Sequence, residues 1–396
     1  KARDKSSNEI VESIVQADSE TAAAKALTTQ GLMPLKIAEV NEDSSLLARL
    51  TNRITSKDKI VFMRQLSTLV GAGLPLAQSL HTVLEQTQNK KMQGVVEEII
   101  ADVEGGRTLS DAFGKHPEVF DKIVLALVSA GEASGTLDEA LKRVATQKEK
   151  DAAMMSKIRG AMVYPVIVLA VILGVMIFML LTVVPQVAKL YKDMHKELPL
   201  LTAIMIGAAD IMMRFWWLVI LLLIIGGYFL RQYLKTENGI TVKDTLKLNM
   251  PLFKGMFRKL YMARFVRTGQ TLLTTGVAML DMLRISSDGV NNSVISKSID
   301  RAAEKVKSGK ALSTALQPED YILPMVPQMI KIGEQSGKID EMMGKTAQVY
   351  EDELDEEIKA ISTAIEPALM VVMAIFAGGM VGAILFPIYS LVGTIH

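Results

Sequence analysis

The chain contains no cysteine among its 396 residues, which excludes disulfides, thiolate chemistry and cysteine metal sites together. That absence suits a reducing cytoplasm without requiring one. Histidine is nearly as scarce: His81, His116, His195 and His396 are scattered, and none falls in a metal-ligand spacing. Charge of one sign is not in excess. The formal net charge is +1, so no global field draws the protein directly to nucleic acid. Strand-like alternation is rare, and the polar opening lacks the apolar stretch of a secretory signal. Also missing is any nucleophile with its base, any metal cluster and any cofactor loop. The residues therefore predict no enzyme, no cofactor and no metal.

What is present is repetition. Phe62-x-Arg64, closed by Gly73, returns as Phe265-x-Arg267, closed by Gly276. Gly131-Glu132-x-Ser134-Gly135 returns as Gly333-Glu334-x-Ser336-Gly337. Each copy then runs into an apolar segment opened by a proline, Tyr164-Pro165 in one and Glu366-Pro367 in the other. The repeat unit is a water-soluble domain with its own membrane exit. Mean hydropathy is positive, yet charged residues still make up 22% of the chain, a mixture unlike that of a polytopic transporter.

Val166 to Val184 carries no charge, nor does Ala368 to Phe386; each is close to the roughly 20 residues that cross a hydrocarbon core. The competing reading, a buried core helix, predicts that these runs are covered by protein. A third run between Arg214 and Arg231 is shorter, with Trp216, Trp217 and Tyr228 placed as interfacial anchors. Three crossings leave both soluble domains on one side. Lys254, Arg258, Lys259 and Arg264, against no Lys or Arg after Pro387, make that side the cytoplasm.

Both soluble copies read as helical. Met92, Val95, Val96, Ile99, Ile100 and Val103 form one apolar stripe ended by Gly105-Gly106, and Leu76, Leu80, Val83 and Leu84 form another after Pro75. The expected fold class is all-α: an integral membrane protein with two homologous cytoplasmic helical bundles and three transmembrane helices. In order, the sequence divides into a small N-terminal domain (1–40), a linker (41–55), a first bundle (56–160) and transmembrane helix 1 (161–186). An extracytoplasmic connector (187–209), transmembrane helix 2 (210–233), a second bundle (234–363), transmembrane helix 3 (364–390) and a tail (391–396) follow.

Gly333 to Lys338 invites comparison with a phosphate loop but is one residue short of that spacing, and Ile339 stands where a hydroxyl is needed. A turn between helices suits both copies better: the glycines permit positive φ, and Ser134 and Ser336 are placed to accept from local backbone donors. The acidic run Glu351 to Glu357 offers hard oxygen ligands for a divalent ion, but at helical spacing its carboxylates spread round the circumference, as on a solvated or partner-facing surface. Pro165 and Pro367 are suited to a first helical turn. Glu366 admits two readings, a carboxylate that binds a partner or locks helix packing and one that reaches interfacial water.

Taken in order and in duplicate, these motifs resemble the F-domain family, the inner-membrane platform proteins of type IV pili and type II secretion systems. Ala26-Leu27, Gly31-Leu32, Pro34 and Ile37 are similar to that family's small N-terminal domain, so the likeness covers nearly the whole chain. The resemblance implies an oligomeric, non-enzymatic part of the bacterial inner membrane. Its partners would be a hexameric motor ATPase, pilins or pseudopilins and other inner-membrane assembly proteins. It assigns no chemical role to Gly131, Glu132, Gly135, Gly333, Glu334, Gly337 or Glu366. The short second apolar run and the acidic approach to the last helix depart from the family pattern. Three functions compete: pilus assembly, protein secretion through a pseudopilus, and, more distantly, membrane transport, which needs ionisable groups inside the spans.

Overall fold

The structure, a computed structural model, describes residues 2–4, 10–11, 24, 27–28, 32–34, 53–193 and 200–392. The expected linker over 41–52, the connector residues 194–199 with His195, and the end of the tail with His396 lie outside the described residues.

In the N-terminal region, β1 (Ala2–Asp4) pairs antiparallel with both β2 (Ile10–Val11) and β3 (Leu32–Pro34), in the order β2-β1-β3. Arg3 lies opposite Ile10 on one side and Met33 on the other. Strands of two or three residues are too short to leave a period in the sequence. Apart from them, the regular structure among the described residues is helical.

The first repeat comprises α1 (Ser56–Gly71), α2 (Leu76–Gln86), α3 (Lys90–Glu104), α4 (Leu109–Gly114), α5 (Lys122–Ser134) and α6 (Leu137–Asp193). After α7 (Leu200–Tyr233) and α8 (Glu237–Asn249), the same series returns as α9 (Lys254–Thr274), α10 (Met279–Gly289), α11 (Ser293–Lys307), α12 (Leu312–Leu316), α13 (Met325–Ser336) and α14 (Ile339–Val392). Side-chain caps start the helices: Thr108 accepts from Asp111 N, Asp121 from Val124 N, and Asn292 from Val294 N and Ile295 N. Left-handed glycines punctuate both copies alike, Gly73, Gly106 and Gly135 in one and Gly276, Gly309 and Gly337 in the other.

Leu66, Leu80, Val96, Ile99, Phe113 and Leu127 form the fully buried interior of the first bundle, and Phe265, Val266, Leu272, Ile295, Ile299 and Leu316 that of the second. Each such side chain contributes about 1.5–3 kcal/mol by leaving water.

The long helices differ from expectation. Pro165 lies deep inside α6, and Pro367 deep inside α14, so neither opens a helix and each long helix runs on from its bundle into its apolar run. A proline removes one helical hydrogen bond at a cost of about 3 kcal/mol. Here the helix on each side is long, and its lower part is packed against its own bundle, so the chain continues. The third run also differs: α7 starts at Leu200 and is broken at Phe215, which has non-helical φ −119° and ψ 18°.

Among the described residues two helices, α6 and α14, are long and apolar enough to cross a membrane; the apolar part Ile220–Tyr233 of α7 is shorter. Their most apolar windows are 0% and 6% buried, which rules out the core-helix reading. Val171, Phe178, Leu223 and Ile375 are more than half exposed along these helices and α7, a surface that water does not tolerate at this extent.

Candidate functional site

Below its apolar part, α6 lies against α14. Met154 of α6, Met256 and Leu260 of α9, and Leu354, Ile358 and Ile361 of α14 share one buried cluster. One repeat is thereby joined to the other by packing as well as by the chain.

Charge flanks this apolar seam. In the first repeat the motif arginine Arg64 donates from Nε to Glu149 Oε1 at 2.7 Å and from Nη2 to Glu149 Oε2. This bidentate pair raises the arginine pKa and, through the bond from Arg64, holds Glu149 below the usual carboxylate range. In the second repeat Arg267 donates from Nε to Glu351 Oε1 at 2.7 Å, the same bond on the equivalent helix. Glu351 is shared, however: Lys150 of α6 donates to its Oε2 at 3.3 Å.

The acidic run is largely consumed in this way. Lys157 of α6 reaches Asp355 at 2.5 Å, and Lys259 of α9 meets Glu357 at 2.8 Å and Glu353 at 3.2 Å. Burial alone would lower the Lys259 pKa, but these two carboxylates outweigh it and raise it. The run thus faces its own chain, and the expected solvated surface is confined to Asp352 and Glu356, its exposed members. Deeper in the seam Asp151 faces Arg264 at 3.9 Å with neither Oδ1 nor Nε hydrogen-bonded. Burial pushes the Asp151 carboxyl up, with Arg264 and Lys148 pulling the other way.

The Gly-Glu-x-Ser-Gly turns act at the opposite end of each bundle. Gly135 and Gly337 end α5 and α13 in the left-handed region, and the next residues, Thr136 and Lys338, return their N–H to Gly131 O and Gly333 O. The first glycine of each motif lets the following helix cross closely: a Cβ on Gly131 would stand 2.4 Å from Ala140 Cβ, and one on Gly333 2.7 Å from Ile339 Cα. Ser134 and Ser336 donate back to Ala130 O and Ile332 O at 2.8 Å each. Their hydroxyls thus donate to carbonyls of their own helix where the expected partners are local backbone donors, and Ser134 Oγ also lies 2.7 Å from Thr136 Oγ1 ahead of the next helix.

The glutamates have a role that the sequence reading missed. Glu132 accepts from Leu109 N at 2.5 Å and from Ser110 N and Oγ at 3.1 and 2.6 Å, capping the first turn of α4. Glu334 accepts from Ser313 N at 3.2 Å and Ser313 Oγ at 2.5 Å in α12. A signal was available, since each glutamate is repeated together with the serine it holds. Glu366 is exposed and has no ion pair among the described residues, and Pro367 beside it is exposed as well.

This is an arrangement for joining and positioning: two capped bundles locked at their far ends, and two long helices tied where they approach their apolar parts. The chain matches the family described as Type II secretion system (T2SS), protein F, over residues 62–185 and 265–387, one match on each repeat. It is 37% identical over 399 residues to the type IV pilus assembly protein PilC of Thermus thermophilus, covering 100% of this chain and 98% of that one. The PilC protein of Pseudomonas aeruginosa is 34% identical over 368 residues, 92% of this chain and 97% of its own. The type II secretion system protein F of Aeromonas hydrophila is 33% identical over 385 residues, 96% and 98% of the two chains.

Proposed function

Since the chain belongs to the family of type II secretion system protein F, we propose that it is an inner-membrane platform protein of a type IV pilus machine. It couples a cytoplasmic hexameric motor ATPase to the extraction of pilins from the bilayer and their addition to a fibre. The observation that carries this reading is likeness along the whole chain to proteins named for pilus assembly. The tied seam supports it, because force applied to one bundle reaches the apolar helices of both.

The chain crosses the membrane three times, by the apolar parts of α6, α7 and α14, with both bundles in the cytoplasm, each within the boundaries expected from the sequence. Trp217 and Tyr228, exposed on α7, mark its interfaces. Glu366, exposed beside Pro367, sits at the boundary of the last crossing, where a partner's cation or interfacial water satisfies it. The platform is a homo-oligomer, and its motif residues hold shape and catalyse nothing. A second reading, a type II secretion platform acting on pseudopilins, is favoured by the similarity to secretion proteins F over nearly the full chain.

The test is co-purification from native membranes in mild detergent with mass spectrometry of the bound proteins. A hexameric ATPase with pilins is expected; pseudopilins in their place would move the assignment to secretion. Normal fibres in cells whose chain lacks either bundle would overturn the platform reading altogether.

A further inference from the structure

On the side of the seam away from the apolar helices, α6 and α9 border an open cleft of about 380 Å³. Lys142, Arg143 and Lys150 come from the first repeat and Arg267 from the second; the carboxylate on the same wall is Glu139, which pairs with Arg143 at 3.2 Å. The rest of the polar lining is Thr146, Gln147, Gln270 and Thr271; the Thr271 hydroxyl already donates to Arg267 O at 2.9 Å, while the Thr146 hydroxyl and the two amides are groups able to donate to an oxyanion. Counting Glu351, which neutralises Arg267 and Lys150 in part, cations exceed carboxylates.

The second observation comes from the repeats themselves. Arg64 spends Nε and Nη2 on Glu149, whereas Arg267 has Nε on Glu351 and Nη1 on Gln270 at 2.8 Å, leaving Nη2 buried without a hydrogen-bond partner. The difference arises because Lys150 takes the other oxygen of Glu351. A buried N–H of this kind is rare in native proteins. Arg267 lines the cleft, and an oxyanion bound there would satisfy this N–H if the guanidinium turned outward.

We propose that this cleft binds a soluble anion with more than one phosphate group. Several convergent donors suit the many oxygens of a polyphosphate better than the two of a single carboxylate. No aromatic side chain lines the cleft to stack a base, so recognition is of the phosphates. A lipid headgroup is out of reach of Lys142 and Arg143, which lie about 27 Å or more along α6 from Ala161, where the expected first crossing begins. Both repeats contribute, so the bound anion would draw α6 and α9 together. The proposal does not depend on the platform reading.

The test is titration calorimetry of the full chain in neutral detergent with pyrophosphate, at constant ionic strength set by chloride. One saturable site per chain is expected, weakened roughly tenfold or more in Lys142→Gln/Arg143→Gln. These exposed and half-exposed side chains serve no core contact, and size-exclusion chromatography checks the fold. Absence of saturable heat would overturn the proposal. So would equal weakening in Lys307→Gln/Lys310→Gln, remote exposed lysines of the second repeat, or binding restored to the double variant by micelles carrying anionic phospholipid.

Discussion

Leu66 of α1 and Gly269 of α9 occupy the same place in the two repeats, and their surroundings are reciprocal. Leu66 is fully buried, with Leu141 and Ser79, also fully buried, in the corresponding bundle positions. At Gly269 those positions hold Met343 and Met282, and a Cβ would stand 2.3 Å from Met343 Cε and 3.2 Å from Met282 Sδ. The volume that the opening helix gives up is supplied by thioethers from its neighbours. The same exchange runs through the aromatic centre: Phe113 and Phe120 stack at 3.9 Å beside Phe62, whereas Leu316, fully buried, stands at the position of Phe113 in the second repeat. Polarity is exchanged as well. Glu98 on α3 faces His116 at 3.4 Å, while in the second repeat Arg301 on α11 bonds Glu319. Duplication has preserved volume and pairing without preserving which helix supplies them, as expected of cores that tolerate concerted exchange better than single changes.

The comparison breaks first at its most asymmetric point. Leu66→Ala removes a fully buried side chain, and the first bundle should lose about 3 kcal/mol. Gly269→Ala requires the flexible ends of Met343 and, by less, Met282 to move, at a cost of about 1 kcal/mol. Urea unfolding of the full chain in detergent, followed by limited proteolysis with fragment mapping, reads each bundle separately. Equal losses would mean that the methionines are not filling space on behalf of the glycine.

The capping glutamates sharpen it at smaller scale. Glu132 accepts three bonds and Glu334 two, so Glu132→Ala should cost about 2 kcal/mol and Glu334→Ala about 1 kcal/mol. The same unfolding experiment ranks them. A reversed order would show that the exposed ends of α4 and α12 are satisfied by water instead.

Local features of this fold were legible and distant ones were not. The left-handed glycines, the amphipathic stripes and the uncharged runs carry their signal within a few residues, and the duplication doubles it. The prolines misled because first-turn preference is a local rule, and at Pro165 and Pro367 packed helix on the N-terminal side overrides it. The acidic run misled for the opposite reason. Lys150 and Lys157, which neutralise part of it, belong to the other repeat, and no periodicity links them to Glu351 and Asp355. Glu132 was readable as part of a turn, but its partner Ser110 is on the preceding helix, 22 residues away. The cleft between α6 and α9 left no signal, because its walls come from separate repeats.

The exchanged ion pairs give the smallest effect and the one with a sign. Glu319 is 5% exposed at its side chain. Burial pushes its carboxyl up, but bonds from Arg301 and Lys305 more than offset this, so its folded pKa is lowered. Below the ordinary glutamate range, about pH 4, the unfolded chain takes up a proton at this position more readily than the folded one. The stabilisation is therefore fully present above that range and is lost as pH falls through the depressed folded value. A loss of roughly 1 kcal/mol is expected in the second bundle, measurable as a falling urea midpoint across that acid window, and Glu319→Gln should lower stability at neutral pH while flattening the slope. The first bundle carries His116 where the second has this carboxylate, so its fragments should lack this contribution to the acid slope. An unchanged slope in Glu319→Gln would show that Glu319 does not carry the acid sensitivity of the second bundle.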